Sequence, residues 1–284
     1  FLVVGSAGLL LLFVFVPLVT ILSAAAVEDG RFAPAALAAR LVAHEAWSLA
    51  CVTAHQSCGV VWNTLLLASL AATASTLIGL AFAVLSVRGA VRAQPAFRAM
   101  TILPLITPPF VVSLALIVLF GRTGLVTVLL KNLLGLNLYE QGFSLYSFWG
   151  LSLTYLFFQF PLMILVITPA LDGLKEEWQE AAQNLGASHS LYLRRVALPI
   201  LMPSILGGMI LLFGNSFGAY ATAYSLTGGF INLVTIVIGS QIKGDILYNP
   251  GLGYALAVGM GVVMSLMMAV YYLLRRRSER WLRQ

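Results

Sequence analysis

The sequence predicts an all-α polytopic membrane protein with six transmembrane helices. Three observations lead there. Hydrophobic residues make up 60% of the 284 and charged residues only 9%, where a soluble domain carries about a quarter charged residues. Several apolar runs reach the ~20 residues that a helix rising ~1.5 Å per residue needs to cross a ~30 Å hydrocarbon core. The short alternating segments of a transmembrane β-barrel do not occur.

The spans are expected at 1–26, 61–85, 101–120, 148–171, 201–225 and 252–274. The chain begins at Phe1 without a methionine, so a longer amino terminus is expected. Ala24-Ala25-Ala26 looks like a signal cleavage site. However, a signal's apolar core is only ~7–15 residues, and this run continues almost unbroken to Val27, so it reads as a retained span. Pro104, Pro108 and Pro109 fall at the start of the third span, which must be kinked or begin late because helix interiors exclude proline. Gly124–Leu136 is apolar but too short to span, and is expected at the interface or packed on the bundle. Leu233–Ile242 reads as a short helix dipping into the membrane. No internal repeat or low-complexity tract is visible.

Orientation follows from Lys and Arg, which favour the cytoplasmic side. One set of connections holds eleven of them: Arg88, Arg92, Arg98, Lys175, Arg194, Arg195, Arg275, Arg276, Arg277, Arg280 and Arg283. The other holds five: Arg31, Arg40, Arg122, Lys131 and Lys243. The first set is therefore expected inside, with both termini. The net charge of +6 reflects this topology and not nucleic-acid binding. The tail 276–284 reads as a basic anchor at anionic headgroups of the lipid bilayer.

The longest polar interruption of the carboxy-terminal half is "EAAQNLGASHSLYLRRVALPILMP", Glu180–Pro203. Residues Lys175–Leu185 are mostly good helix formers. Gly186 suits a left-handed cap, after which the chain turns sharply. A second short amphipathic piece follows, with Leu191, Tyr192, Leu193 and Val196 apolar and Arg194 and Arg195 polar. Pro199 is expected to end it and to sit in the first turn of the next span. Such a loop is either a solvated connection with helical propensity or a docking knob. In the second case Ala181 and Ala182 permit close approach and Glu180 supplies a charge at the rim.

The string Glu180-Ala181-Ala182, Gly186-Ala187, Tyr192, Val196, Leu198-Pro199 and Pro203 resembles the EAA loop of binding-protein-dependent ABC importer permeases. That family's pattern is EAA, three residues, G, about nine residues, an aliphatic residue, any residue, then L-P. Tyr192 stands where the family often has Phe, and Val196 where it often has Ile. Trp62-Asn63-Thr64 at the head of the second span also resembles the family, and the resemblance extends over about residues 60–275.

The resemblance implies a type I importer, or MetI-like, fold: a first helix and extracytoplasmic loop over 1–60, then a permease core over 61–275 that carries an EAA coupling loop at 172–200. It implies a pore of two permease subunits, a heterodimer being favoured. Two ABC ATPase subunits, which bind ATP and magnesium, would each grip one coupling loop. An extracytoplasmic substrate-binding protein would deliver cargo, and the assembly would be a multi-pass component of a bacterial inner membrane. Glu180 would pair with a basic residue of the ATPase, Ala181 and Ala182 would enter its groove, and Gly186 would allow the turn. Ala187, Tyr192, Leu198 and Pro199 complete the motif. The stretches "LPLITPPFVVSLALIVLFGRTGLVT" and "FGNSFGAYATAYSLTGG" look most like spermidine/putrescine-type and ferric-type permeases. A polyamine is the expected cargo, with ferric iron, an aminophosphonate or another small solute as alternatives.

Other features agree with this division of labour. The chain has no G-x-x-x-x-G-K-[ST] phosphate loop and no catalytic constellation, so it is expected not to be an enzyme. No ionisable residue falls inside a span, which speaks against the competing class, an ion-coupled secondary transporter or a channel. Thr154, Tyr155 and Gln159 in span four, and Asn215, Ser216, Tyr220, Tyr224 and Ser225 in span five, read either as helix–helix hydrogen bonding or as a neutral, aromatic substrate pathway suited to a cation. His44, Cys51, His55 and Cys58 crowd the first outer loop. A Cys51–Cys58 disulfide, free thiols and a metal site all remain open there, though the spacing fits no zinc pattern, so no metal is expected. Glu140 and Asp245 are outer-side charges, either plain surface groups or contacts for the binding protein.

Overall fold

The computed structural model describes residues 2–28, 31–49, 58–88, 104, 106–243 and 249–282. The chain divides into two compact units. One is Phe1–Thr64 with Asn232–Leu266; the other is Leu65–Ile231 with Met267–Gln284. Among the described residues six helical stretches are long and apolar enough to cross a membrane: Gly8–Ala25, Val60–Leu85, Pro109–Leu134, Phe148–Asp172, His189–Gly218 and Pro250–Arg276. The architecture is the all-α one expected. One small addition is a pair of two-residue strands, β1 (Val27–Glu28) and β2 (Arg31–Phe32), paired antiparallel with Val27 opposite Phe32.

The first unit contains α1 (Leu2–Ala25), the β1–β2 pair, α2 (Pro34–Leu41) and α3 (His44–Trp47). The start of α4 (Val60–Arg88), α12 (Val234–Lys243) and most of α13 (Pro250–Leu282) complete it. Trp62-Asn63-Thr64 is its clasp. Trp62 Nε1 donates to Trp47 O at 3.0 Å, and the two indoles meet edge to face at 5.9 Å. Asn63 Nδ2 donates to Cys58 O and to Asn232 O, both at 3.2 Å. The buried Thr64 hydroxyl donates to Val60 O at 2.8 Å and accepts the Val234 N–H at 2.9 Å. Thr64→Val keeps the shape but strands a buried backbone N–H, at a cost of about 1–3 kcal/mol. Thermal unfolding of the detergent-solubilised protein should register the loss, and Thr64→Ser should restore most of it.

The second unit holds the rest of α4, α5 (Pro109–Phe120), α6 (Leu125–Leu134), α7 (Phe148–Asp172), α8 (Glu176–Asn184), α9 (His189–Tyr192), α10 (Leu198–Gly218) and α11 (Ala221–Thr227). Its α4 presents a seam of small buried residues, Ala68, Ala72, Ser75, Gly79 and Ala83. Spacings of three and four place them on one helix face. Membrane helices associate through such residues because lipid supplies no hydrophobic drive between them. Met163 of α7 is fully buried between two glycines. A Cβ on Gly79 would lie 2.6 Å from Met163 Cβ, and one on Gly208 of α10 would lie 2.6 Å from Met163 Sδ.

Three sequence expectations change in detail. The described helix of the third span begins at Pro109, past Pro104 and Pro108, with Pro109 at its first position where a missing N–H costs nothing. Pro199 does not end the preceding amphipathic piece. Instead α9 passes through a π-helical turn, Leu193–Ala197, straight into α10. There the Leu198 N–H reaches back five residues to Leu193 O. This wider turn moves the carbonyl that an α-helical Pro199 ring would strike. Finally, the fifth span stops at Gly218 and not at 225. Ala219 is extended, and the chain resumes as the separate helix α11, packed on α5.

Candidate functional site

The polar loop between α7 and α10 is built for display. Glu176 and Glu177 occupy the first turn of α8, where a carboxylate meets the positive end of the helix dipole. At the other end Gly186 adopts φ +79°, as the sequence predicts. Its N–H bonds Gln183 O at 2.8 Å, and the Ala187 N–H bonds Ala182 O at 2.9 Å. This pair is the Schellman closure that satisfies the last carbonyls of a helix. The Ser188 hydroxyl then accepts the Leu191 N–H at 3.4 Å and starts α9.

The motif residues divide by exposure. Glu180, Ala181, Gly186, Leu198 and Pro199 face outward, with Ala182 and Ala187 half-buried. Tyr192 is buried, so it pins the loop from beneath and is not part of its outer face. Sequence reasoning missed Leu185, which is 88% exposed, and Trp178, which is 38% exposed. The available signal was a large apolar residue directly before the capping glycine. An open groove of about 880 Å³ beside α8 is lined by Asp172, Glu176, Glu177 and Glu180, with Lys175 the one cation among the described residues that line it. The loop therefore offers an acidic, knobbed surface that suits a basic protein partner.

The residues proposed for a substrate pathway separate into two sets. Tyr155, Gln159 and Ser216 are buried in the α7–α10 contact. The Gln159 amide donates to Leu212 O at 3.1 Å and to the Ser216 hydroxyl, and the Tyr155 hydroxyl donates to Ala219 O at 3.1 Å. They fasten one helix to another. By contrast Asn215 is exposed, Tyr220 is half-buried and Tyr224 is 51% exposed. The two tyrosine rings stack at 5.3 Å. Gln159→Leu should cost about 0.6–1.7 kcal/mol of stability, the range for interhelical hydrogen bonds in membranes. It should leave the KM for any transported solute unchanged; a shifted KM would place Gln159 on the path.

Before the second span Cys58 is buried and disulfide-bonded. The expected partner Cys51 lies outside the described residues, as do His55 and Asp245. Glu140 is exposed. Among the described residues no three His, Cys, Asp or Glu side chains are grouped to hold a metal ion.

Residues 75–284 match the family of binding-protein-dependent transport system inner membrane components, and the chain belongs to that family. It is 29% identical over 187 residues to the ferric transport system permease protein FbpB of Actinobacillus pleuropneumoniae, covering 64% of this chain and 27% of that protein. It is also 29% identical over 226 residues to the spermidine/putrescine transport system permease protein PotB of Haemophilus influenzae, covering 78% and 77%. To the molybdenum transport system permease protein ModB of Escherichia coli it is 30% identical over 199 residues, covering 69% and 79%. The chain thus spans little more than a quarter of the ferric relative's length. Its fold is similar to that of a bacterial ABC transporter that imports the acidic polysaccharide alginate, with a TM-score of 0.69 at 16% identity over 97% of this chain and 94% of that one. The polyamine subgroup favoured by the sequence is not singled out, since ferric and molybdenum permeases match about as well.

Proposed function

We propose that this chain is the permease subunit of an ATP-driven importer, coupled through residues 172–200 to a separate ABC ATPase dimer that binds ATP and magnesium. The observation that carries this reading is the displayed helix Glu176–Asn184, closed by the Gly186 turn, after which α9 runs without a break into span five. A partner that grips the displayed helix pulls, through the four residues 185–188, on a continuous helix that reaches deep into the membrane. ATP binding would draw two such loops together and rock the pore from inward- to outward-facing. Glu180 pairs with a base of the ATPase; Ala181, Ala182 and Leu185 enter its groove; Gly186 and Ala187 set the turn; Tyr192, Leu198 and Pro199 hold the root of the continuous helix. Both termini lie in the cytoplasm of a bacterium, with 1–60 as leading helix and outer loop, 61–275 as permease core and 276–284 as basic tail. A second, different permease subunit completes the pore, and an extracytoplasmic binding protein delivers cargo. Cys51 and Cys58 form a disulfide in the outer loop. The chain itself carries no catalytic group.

The favoured cargo is a polyamine such as spermidine or putrescine, with ferric iron as the second reading because a ferric permease is equally similar. The test is uptake of radiolabelled spermidine and putrescine by cells with and without the gene. Uptake lost on deletion, restored by the intact gene and not by Glu180→Lys, supports both cargo and coupling loop. Unchanged uptake in cells lacking a redundant system removes the polyamine and makes ferric iron the next solute to measure.

A further inference from the structure

Helix α8 carries two faces of different chemistry. Trp178, Ala181, Ala182 and the C-cap residue Leu185 stand at i, i+3, i+4 and i+7, so they share one side. Trp178, Ala181 and Leu185 are exposed, and only Ala182 is half-buried. Glu176, Glu177 and Glu180 occupy the remaining circumference with Gln179 and Gln183. The acidic groove is lined by those polar residues and by none of the four apolar ones.

A helix that shows apolar anchors at this spacing is built to lie in a groove of another protein. The two large anchors, Trp178 and Leu185, are about 10 Å apart along the axis. The two alanines between them leave room for both to reach the floor of one cleft. The charges say what that cleft belongs to. A helix made to lie on a membrane carries Lys and Arg on its polar face, and the cytoplasmic leaflet is anionic. Here the polar face carries three carboxylates, which such a leaflet repels and a basic rim attracts. The Gly186 closure holds the helix end before any partner arrives, so little ordering is left for the contact to offset.

We propose that Trp178 and Leu185 are the anchors by which the ABC ATPase holds this loop, each filling an apolar pocket of a groove with a basic rim, and that Glu176 and Glu177 steer the ATPase to it. The proposal rests on the permease reading above and divides the labour within that contact. Apolar anchors lose their water only in the finished complex, so they set how long it lasts. Carboxylates act across about 10 Å of solvent at 0.1 M salt, before contact, so they set how fast it forms.

The test uses the full-length protein purified in detergent with the ABC ATPase that accompanies it. The ATPase is stripped off, and its rebinding to the immobilised protein is timed. Trp178→Ala and Leu185→Ala should each speed dissociation about tenfold or more, with the association rate and its salt dependence unchanged. Glu176→Gln combined with Glu177→Gln should slow association about threefold or more at low salt and leave dissociation unchanged. Unfolding temperatures of all variants check that the fold is intact. An ATPase that leaves both alanine variants as slowly as the unaltered protein would overturn the anchors. An unchanged association rate in the glutamine variant would overturn the steering. A fluorophore on Leu185→Cys that lipid-borne spin labels quench while the ATPase is bound would place the apolar face in the membrane and overturn the proposal. If no ABC ATPase accompanies the unaltered protein, the permease reading itself fails, and the proposal with it.

Discussion

Glu180→Lys should reduce ATP-driven uptake by at least ~30-fold while the protein still inserts and folds. The carboxylate stands exposed on α8 at the rim of an acidic groove, so the fold does not need it. Removing one partner from a buried interfacial charge pair costs about 2–5 kcal/mol, and reversal adds repulsion. The reading to take is ATPase rate against transport in reconstituted vesicles, with thermal stability as control. Hydrolysis that no longer responds to loaded binding protein, at an unchanged unfolding temperature, is the expected pattern. Gly186→Val should act in the same direction by another route. Its φ of +79° is strained for a β-branched residue, although its Cβ would meet nothing within 4 Å. Strain there reorients Leu185 and the start of α9 without touching the core. Normal transport in both variants would mean that this loop is only a solvated connection.

Gly79→Ala should destabilise the second unit by about 1–3 kcal/mol, the usual cost of overpacking. Gly208→Ala should cost much less, although both glycines contact Met163. The new methyl at 79 would lie 2.6 Å from Met163 Cβ and 2.8 Å from Phe160 O, atoms that move only with the α7 backbone. The methyl at 208 meets Met163 Sδ and Cε, the free end of a flexible side chain. Unfolding temperatures of the two variants in one detergent check this order. Equal losses would mean that Met163 cannot swing aside.

The polar loop was legible from residues alone because its determinants are local. Helix propensity, two alanines and a glycine obliged to adopt positive φ all act within a dozen positions, and Gly186 takes the conformation they require. The late start of the third span was legible for the same reason, since proline's missing N–H is a property of one residue. The break at Ala219 was not. Phe217-Gly218-Ala219-Tyr220 carries no proline and reads as an ordinary apolar helix, and what stabilises the extended Ala219 is the hydroxyl of Tyr155, 64 positions away. The π-helical turn escaped notice too, because a proline after an amphipathic piece reads as a stop until the preceding turn is seen to widen.

The polar residues of spans four and five divide on the same ground. Tyr155, Gln159, Asn215, Ser216 and Tyr220 are alike as polar residues in greasy spans, and only packing divides those that join α7 to α10 from those that line a cavity at the break after Gly218. Composition, span number and the shape of the polar loop were thus determined by the sequence itself, because hydropathy, helix propensity and capping are written within single segments. Which polar groups face each other and which face open space was decided by the tertiary structure. Hydrogen-bond satisfaction in a medium without water depends on the neighbouring helix, and no single segment contains that neighbour.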